Sequence, residues 1–322
     1  MNMPATPSHT IRIASCEVAG RTFGLDMAAI VGIQPSEVVR FDSSIADEVI
    51  GTMASHGQTY PVYSLARLLG LPHTPSRMGH CIVVTDGVHV WGMLADRVSR
   101  SETRSASEVM TLPALITGST HSMIRGVMCG VDDQSQPLIV LDPERIRPGQ
   151  LPSPATEFAS SPTDMVEDRL APSHRSTQQR LITFAAASGN ASPHIRYAFS
   201  VTQVVEITRV PQSITIPGSP AFIAGIASWR HSPLPLVRLT SDIDSDGSTS
   251  SSQRMAVVRV PECTLPLGLL VSPECEILNC PLEGTRLSAS QVGVHEHSVR
   301  ALFRLERHTL LFPRFSTISG TV

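Results

Sequence analysis

One property of this chain constrains its fold more than any other: it carries the same pattern twice. A constant shift of 174 residues lays FGLDMAAIVGI, beginning at Phe23, over YAFSVTQVVEI, beginning at Tyr197. Under that shift Gly51 meets Gly225, Pro61 meets Pro235 and Leu65 meets Leu239, with no gap from 23 to 65. Further on, VWGMLAD falls on PLGLLVS. Apolar positions, an aromatic, a Gly and a Pro recur in phase. Two copies of one domain type make paired domains and not a solenoid. The first spans 10–147 and the second 180–318. Between them, 148–179 is rich in Pro, Ser and Thr, holds neither a 2.0 nor a 3.6 period, and reads as a linker.

Each copy reads mainly as strand. CIVVTDGVHVWGML sets Asp86-Gly87 between two alternating β-branched runs, a hairpin signal. RMAVVRV and LPLGLLV form the matching pair in the second copy. SLARLLGLP reads as a short helix with Gly70 at its C-terminal cap and Pro72 just beyond. Many short strands with closely spaced turn signals favour barrels over a doubly wound sheet.

Composition narrows the function classes. With 41% hydrophobic residues the chain can bury a core. Its formal charge of −3 argues against nucleic acid or an anionic membrane as a partner found by bulk electrostatics. Every basic residue other than histidine is arginine, suited to planar, bidentate contacts. The N-terminal stretch lacks a signal-peptide pattern, and no apolar run reaches the length of a membrane-spanning helix. Six cysteines in 322 residues form no disulfide framework. The expected location is cytoplasmic.

Asp242, Asp244, Asp246 and Gly247 fit the first positions of a calcium loop, but Gln253 stands where a bidentate Glu belongs. Cys275, Cys280, His295 and His297 can be drawn as zinc ligands, yet their spacing fits no common structural site. Nucleophile elbows, phosphate loops and dinucleotide fingerprints are absent from the sequence. No catalytic residue, metal or cofactor is assigned, and a metal-dependent enzyme on degenerate barrels is the remote alternative.

Val204, Glu206 and Ile207, then Pro220, Phe222, Ile223 and Gly225, then Arg230, then Pro235 and Leu239 carry a resemblance. Their order and spacing resemble the CheW-like domain, the adaptor module of bacterial chemosensory systems, and both copies show it. The resemblance implies two tandem CheW-like domains, each a pair of small, intertwined, five-stranded SH3-like β-barrels with short helices. It implies no catalysis. It implies docking to the cytoplasmic tip of a methyl-accepting chemoreceptor and to the regulatory domain of a CheA-type histidine kinase, with other CheW-like proteins as further partners. The output is then chemotaxis or twitching motility, reached through receptor arrays and without membrane insertion. The receptor-side residues it implies are Val204, Glu206, Gly225, Trp229 and Arg230. Their counterparts in the first copy are Ile30, Gly32, Gly51, Ser55 and His56.

In this reading Gly225 allows a close backbone approach or a bulge where the barrels meet. Pro235, unable to donate to a ladder, belongs at an edge or a strand start. Arg230 projects from a turn as a fork for carbonyls or carboxylates; the plain alternative is a solvated turn residue. Glu206 either holds that guanidinium or meets the partner. Trp91 and Trp229 read as packing residues, with Trp229 also a candidate contact aromatic.

The copies depart from the pattern differently. The first has Gly32 and His56 where the second has Glu206 and Arg230, and it keeps Gly57 where the second has His231. The first also keeps Asp96 and Gly126, where the second has Ser272 and Ala301. A division of labour follows as the expectation: the second copy docks the receptor-like partner, and the first is structural or binds something else. A scaffold that competes with coupling instead of supporting it is the alternative.

Overall fold

β-Branched and apolar runs of two to nine residues, punctuated by Gly, Pro and Asp, form 24 strands and two one-turn helices among the described residues of a computed structural model. The structure describes residues 10–42, 49–55, 57–72, 79–130, 135–146, 179–185, 195–238, 254–260, 263, 265–280, 285–286, 299–304, 309–313 and 315. The 242–253 stretch, His56, Leu239, His295 and His297 lie outside them. No helix among the described residues is long and apolar enough to cross a membrane.

The first repeat holds β1 (Thr10–Val18), β2 (Arg21–Asp26), β3 (Ile30–Pro35), β4 (Val39–Phe41), β5 (Val49–Ser55), β6 (Gln58–Ser64), helix α1 (Leu65–Leu68), β7 (His80–Thr85), β8 (Val90–Ala95), β9 (Arg97–Ser105), β10 (Val109–Met110), helix α2 (Ala114–Thr117), β11 (Ile124–Met128) and β12 (Leu138–Leu141). They build two sheets, ordered β10-β11-β12-β2-β1-β9 and β3-β7-β8-β6-β5-β4. The chain starts the first sheet, makes the whole of the second, then returns to finish the first. The two barrels are therefore intertwined through the chain.

Strand order shows how each sheet closes. β3 and β4 are consecutive in the chain yet stand at opposite ends of their sheet. The 3₁₀ turn Ser36–Val38 joins them, and the Ser36 hydroxyl accepts from the Gly79 amide at 3.0 Å. β9 and β10 repeat the device across Ala106–Glu108, where Ser105 and Glu108 form a capping box. One bent strand thus serves both ends, and six segments give a five-stranded barrel. Parallel pairs β2·β12 and β6·β8 complete the two sheets. Their cores hold Ile11, Ile13, Met128 and Val140 in one and Val39, Met53, Val62, Cys81, Val83 and Leu94 in the other.

The second repeat holds β13 (Gln179–Ala185), β14 (Ile195–Ser200), β15 (Val204–Arg209), β16 (Ser213–Ile214), β17 (Ile223–Trp229), β18 (Ser232–Arg238), β19 (Arg254–Val258), β20 (Leu267–Val271), β21 (Cys275–Cys280), β22 (Thr285–Arg286), β23 (Val299–Arg304) and β24 (Thr309–Pro313). Its sheets run β21-β13-β14-β24-β23-β22 and β15-β19-β20-β18-β17-β16, the same orders strand for strand. The mainly β, twin-barrel fold read from the sequence is the fold found. Helix α1 starts at a Ser64 cap and ends at Gly70 with φ +66°. The β7–β8 tip is longer than a two-residue turn: the Asp86 carboxylate accepts from the Val88 and His89 amides at 2.9 and 2.7 Å. Those bonds lower the Asp86 pKa to about 2.

Pro235 departs from expectation. It sits inside β18, a central strand flanked by β17 and β20, and not at an edge or a strand start. Arg238 donates its amide to the Phe222 carbonyl, toward the β17 side. Strand alternation turns the Pro235 nitrogen the other way, toward β20. The parallel ladder with β20 begins one residue later, at Leu236 opposite Gly268. The missing N–H therefore falls where no ladder partner is waiting.

Candidate docking site

The residues read as receptor-side occupy two elements of the sheet that runs from β15 to β16. Val204 and Glu206 lie on β15 at one end of the strand order, whereas Gly225 and Trp229 lie on β17 near the other. The chain closes the gap. It leaves β15 at Arg209 and re-enters at Ser213 in β16, which pairs with β17 at Ala227 and Ile226.

β17 ends at Trp229 and β18 starts at Ser232, so Arg230 and His231 form a two-residue turn. Both are left-handed, at φ +49° and +61°, as a primed hairpin turn requires. For residues with a Cβ this backbone is strained. Both side chains are exposed. The Arg230 guanidinium carbon lies 4.6 Å from the centre of the buried Trp229 ring, within cation–π range. The indole face is thus a platform for the arginine. At the corresponding place in the first repeat Ser55 pairs with Gln58, and Gly57 takes φ +77° without strain.

Gly51 explains the repeated glycine. A Cβ there would collide with the Arg40 carbonyl of β4, and the β5·β6 ladder carries a bulge between Val49 and Gly51. The close approach at Gly51 comes from a neighbouring strand of the same barrel.

β15 shows what the sequence reading missed. Val204, Glu206 and Thr208 face one way and are half-buried. Val205 and Ile207 face the other and are 37% and 41% exposed. In the first repeat Ile30 and Gly32 are half-buried, while Val31 and Ile33 are 65% and 39% exposed. Both pairs sit on end strands, and both strands bulge at the same place, between Val204 and Glu206 and between Ile30 and Gly32. The bulge re-aims the extra valine. The signal was in the letters: these strands place apolar residues in both phases of the alternation, more than a one-sided core can bury.

Burial pushes the Cys16 thiol up to about 12 and the Cys81 thiol up to about 11, so neither is a thiolate at neutral pH.

Known proteins place this architecture. The CheW-like domain family matches residues 12–148 and 182–316. Among solved structures the chain is similar to the scaffolding protein TtCheW from Thermoanaerobacter tengcongensis, at 17% identity and a TM-score of 0.36, over 43% of this chain and 90% of that one. A search of the curated proteins returns no match. Matched along most of its length in two successive copies, this chain belongs to the CheW-like domain family.

Proposed function

We propose that this protein is a non-enzymatic coupling adaptor of a bacterial chemosensory array, working in the cytoplasm by protein–protein docking. In this reading the second repeat receives the cytoplasmic tip of a methyl-accepting chemoreceptor, and a CheA-type histidine kinase docks through its regulatory domain. Tethering two such domains raises the effective concentration of whatever the second site binds.

The observation that carries the reading is the matched apolar pair on equivalent end strands, Val31 with Ile33 and Val205 with Ile207. Solvent-exposed aliphatic pairs at the same two positions of two divergent repeats serve contact, not core. In the second repeat they share a sheet with the Trp229–Arg230 platform, which adds a charged fork suited to carboxylates or carbonyls. Glu206 lies on the same strand with its side chain on the opposite, half-buried face, and enters the docking set through the family motif.

Division of labour follows from the same contrast. The first repeat offers Gly32 and His56 where the second offers Glu206 and Arg230. The test is titration of the full chain against a purified receptor cytoplasmic fragment, with Arg230→Ala and Ile207→Ser beside Ile33→Ser. Second-repeat changes should weaken binding by about tenfold or more, as loss of a central contact does, and Ile33→Ser should leave it unchanged. Equal loss from both repeats would discard the division of labour. No binding by the wild type would discard the receptor as partner.

A further inference from the structure

We infer that the first repeat carries a seat for the connection between β16 and β17, and through it holds the Trp229–Arg230 turn in place. The consequence for docking rests on the function proposed above; the seat itself does not.

β17 and its counterpart β5 differ in what covers them. Met53 of β5 belongs to its barrel core, so its register equivalent Ala227 points inward, and Ile226 and Ser228 point out. In the first repeat the outward pair is Thr52, half-buried, and Ala54, exposed. In the second both outward residues are 0% exposed. The buried Ser228 hydroxyl has no hydrogen-bond partner among the described residues. This face is covered in one repeat and open in the other.

The cover comes from the first repeat, which forms one compact unit with 212–220 and 226–233. Ile216-Pro217-Gly218-Ser219 makes a Pro-Gly turn: Gly218 takes φ +69°, and the Ser219 amide donates to the Ile216 carbonyl at 3.3 Å. That closure leaves the buried Pro217 carbonyl to find a donor elsewhere. Thr120 supplies it from the 3₁₀ segment Gly118–Met123 that follows α2. Its fully buried hydroxyl donates to the Pro217 carbonyl at 2.6 Å, nearer than the Thr117 carbonyl of its own turn at 3.1 Å. Gly118 takes φ +58°, and a Cβ there would collide with the Gly218 carbonyl. A donor aimed at one carbonyl and a bare glycine under the next make a fitted seat. β16 then pairs with β17 at Ala227 and Ile226, so the hold passes into the strand that ends at Trp229.

The experiment reads hydrogen exchange by segment in the full chain. Thr120→Val keeps the shape and removes the donor, leaving a buried carbonyl unpaired. Exchange should quicken about tenfold in 212–220 and 226–233, with β13 and β14 unmoved. Ser228→Arg sets a long cation on the covered face and should do the same. Ala54→Arg, at the equivalent open position, should change nothing, and circular dichroism should show the fold kept in all three. Against a receptor cytoplasmic fragment, Thr120→Val should bind about threefold more weakly or worse, because the turn is held in its competent form less often. Unchanged exchange in 212–220 and 226–233 in both variants would overturn the seat. Faster exchange with binding intact would overturn its part in docking. A wild type that binds no receptor fragment would discard the receptor as partner, while the exchange comparison would still decide the seat.

Discussion

The two repeats have one topology but hold their first hairpins together by opposite chemistry. In the first, β1 and β2 meet through Ala19-Gly20, a two-residue turn with both φ values positive, at +52° and +71°. Asp96 pins it: one carboxylate oxygen accepts from the Ala19 amide at 2.8 Å, while the Asp96 amide donates to the Glu17 carbonyl at 3.0 Å. In the second, the paired positions Ala185 and Arg196 stand farther apart along the chain than their counterparts Glu17 and Thr22. Ser272, in place of Asp96, caps locally and accepts from the Glu274 amide at 3.2 Å. The pin is now a donor. Arg196, standing where the first repeat has Thr22, is only 6% exposed and donates to the Thr183 hydroxyl at 3.1 Å and to the carbonyls of Thr183 and Glu274 at 3.3 and 3.4 Å. An acceptor reaching for an amide has become a donor reaching for carbonyls. Both devices tie the hairpin to the segment that feeds the edge strand, so the fold specifies the tie and leaves its polarity open.

The sharpest way to break this comparison is to give the second repeat the first repeat's residue. Arg196→Thr strips a buried guanidinium from one hydroxyl and two carbonyls, and should cost about 3 kcal/mol. Denaturant unfolding followed by hydrogen exchange should show the loss in β13, β14 and β21, with β1 and β2 unmoved. A loss below about 1 kcal/mol, the level of a surface contact, would mean that Arg196 is not the pin.

Next in size is Asp26→Ser. Asp26 does two things: it caps the Ala28 amide at 3.0 Å, and it pairs with Arg125 while nearly buried. Ser200, its counterpart, keeps the cap, accepting from the Thr202 amide at 3.4 Å. The change therefore removes the ion pair and spares the cap, with an expected cost of about 2 kcal/mol by thermal unfolding. Asp96→Ser should follow at about 1 kcal/mol, because it orphans one turn amide. Ser272→Asp should gain nothing measurable, since Arg196 already ties the second hairpin.

These contrasts show what the letters could and could not carry. Repeat phase, the β7–β8 hairpin, the Gly70 cap and the barrel class were legible because periodicity and turn chemistry are local. The sequence also marked Asp96 and Ser272 as a difference. It could not say that Arg196 answers it, since that compensation depends on which strands become neighbours across 78 residues of chain. Pro235 was misplaced for the same reason: an edge rule for proline ignores where a parallel ladder starts. At the candidate docking site, Arg230 was read from its motif and is found on its turn. Val205 was not named and Ile207 was named only as part of the motif: apolar letters in both phases of the strand hint at an exposed pair, but the bulge decides which face each takes. Trp229 was read as packing first and contact second, and the structure shows it buried with its ring under the arginine.

The smallest expected effect concerns the turn itself. The second repeat holds both turn residues left-handed without a glycine, whereas the first has Gly57 at the second position. A non-glycine residue there strains the folded state, and glycine relieves it at some cost in unfolded-chain entropy. His231→Gly should therefore stabilise the second repeat by about 0.5 to 1 kcal/mol. Gly57→His should destabilise the first by a similar amount, so the two exchanges should nearly mirror one another in paired denaturation curves. Stability and docking should then part ways. A glycine loosens the backbone that holds Arg230 over Trp229, so His231→Gly should bind a receptor fragment more weakly although it unfolds later. A variant both more stable and equally good at binding would show that the strain serves no docking purpose, and that the platform rests on the Trp229 ring alone.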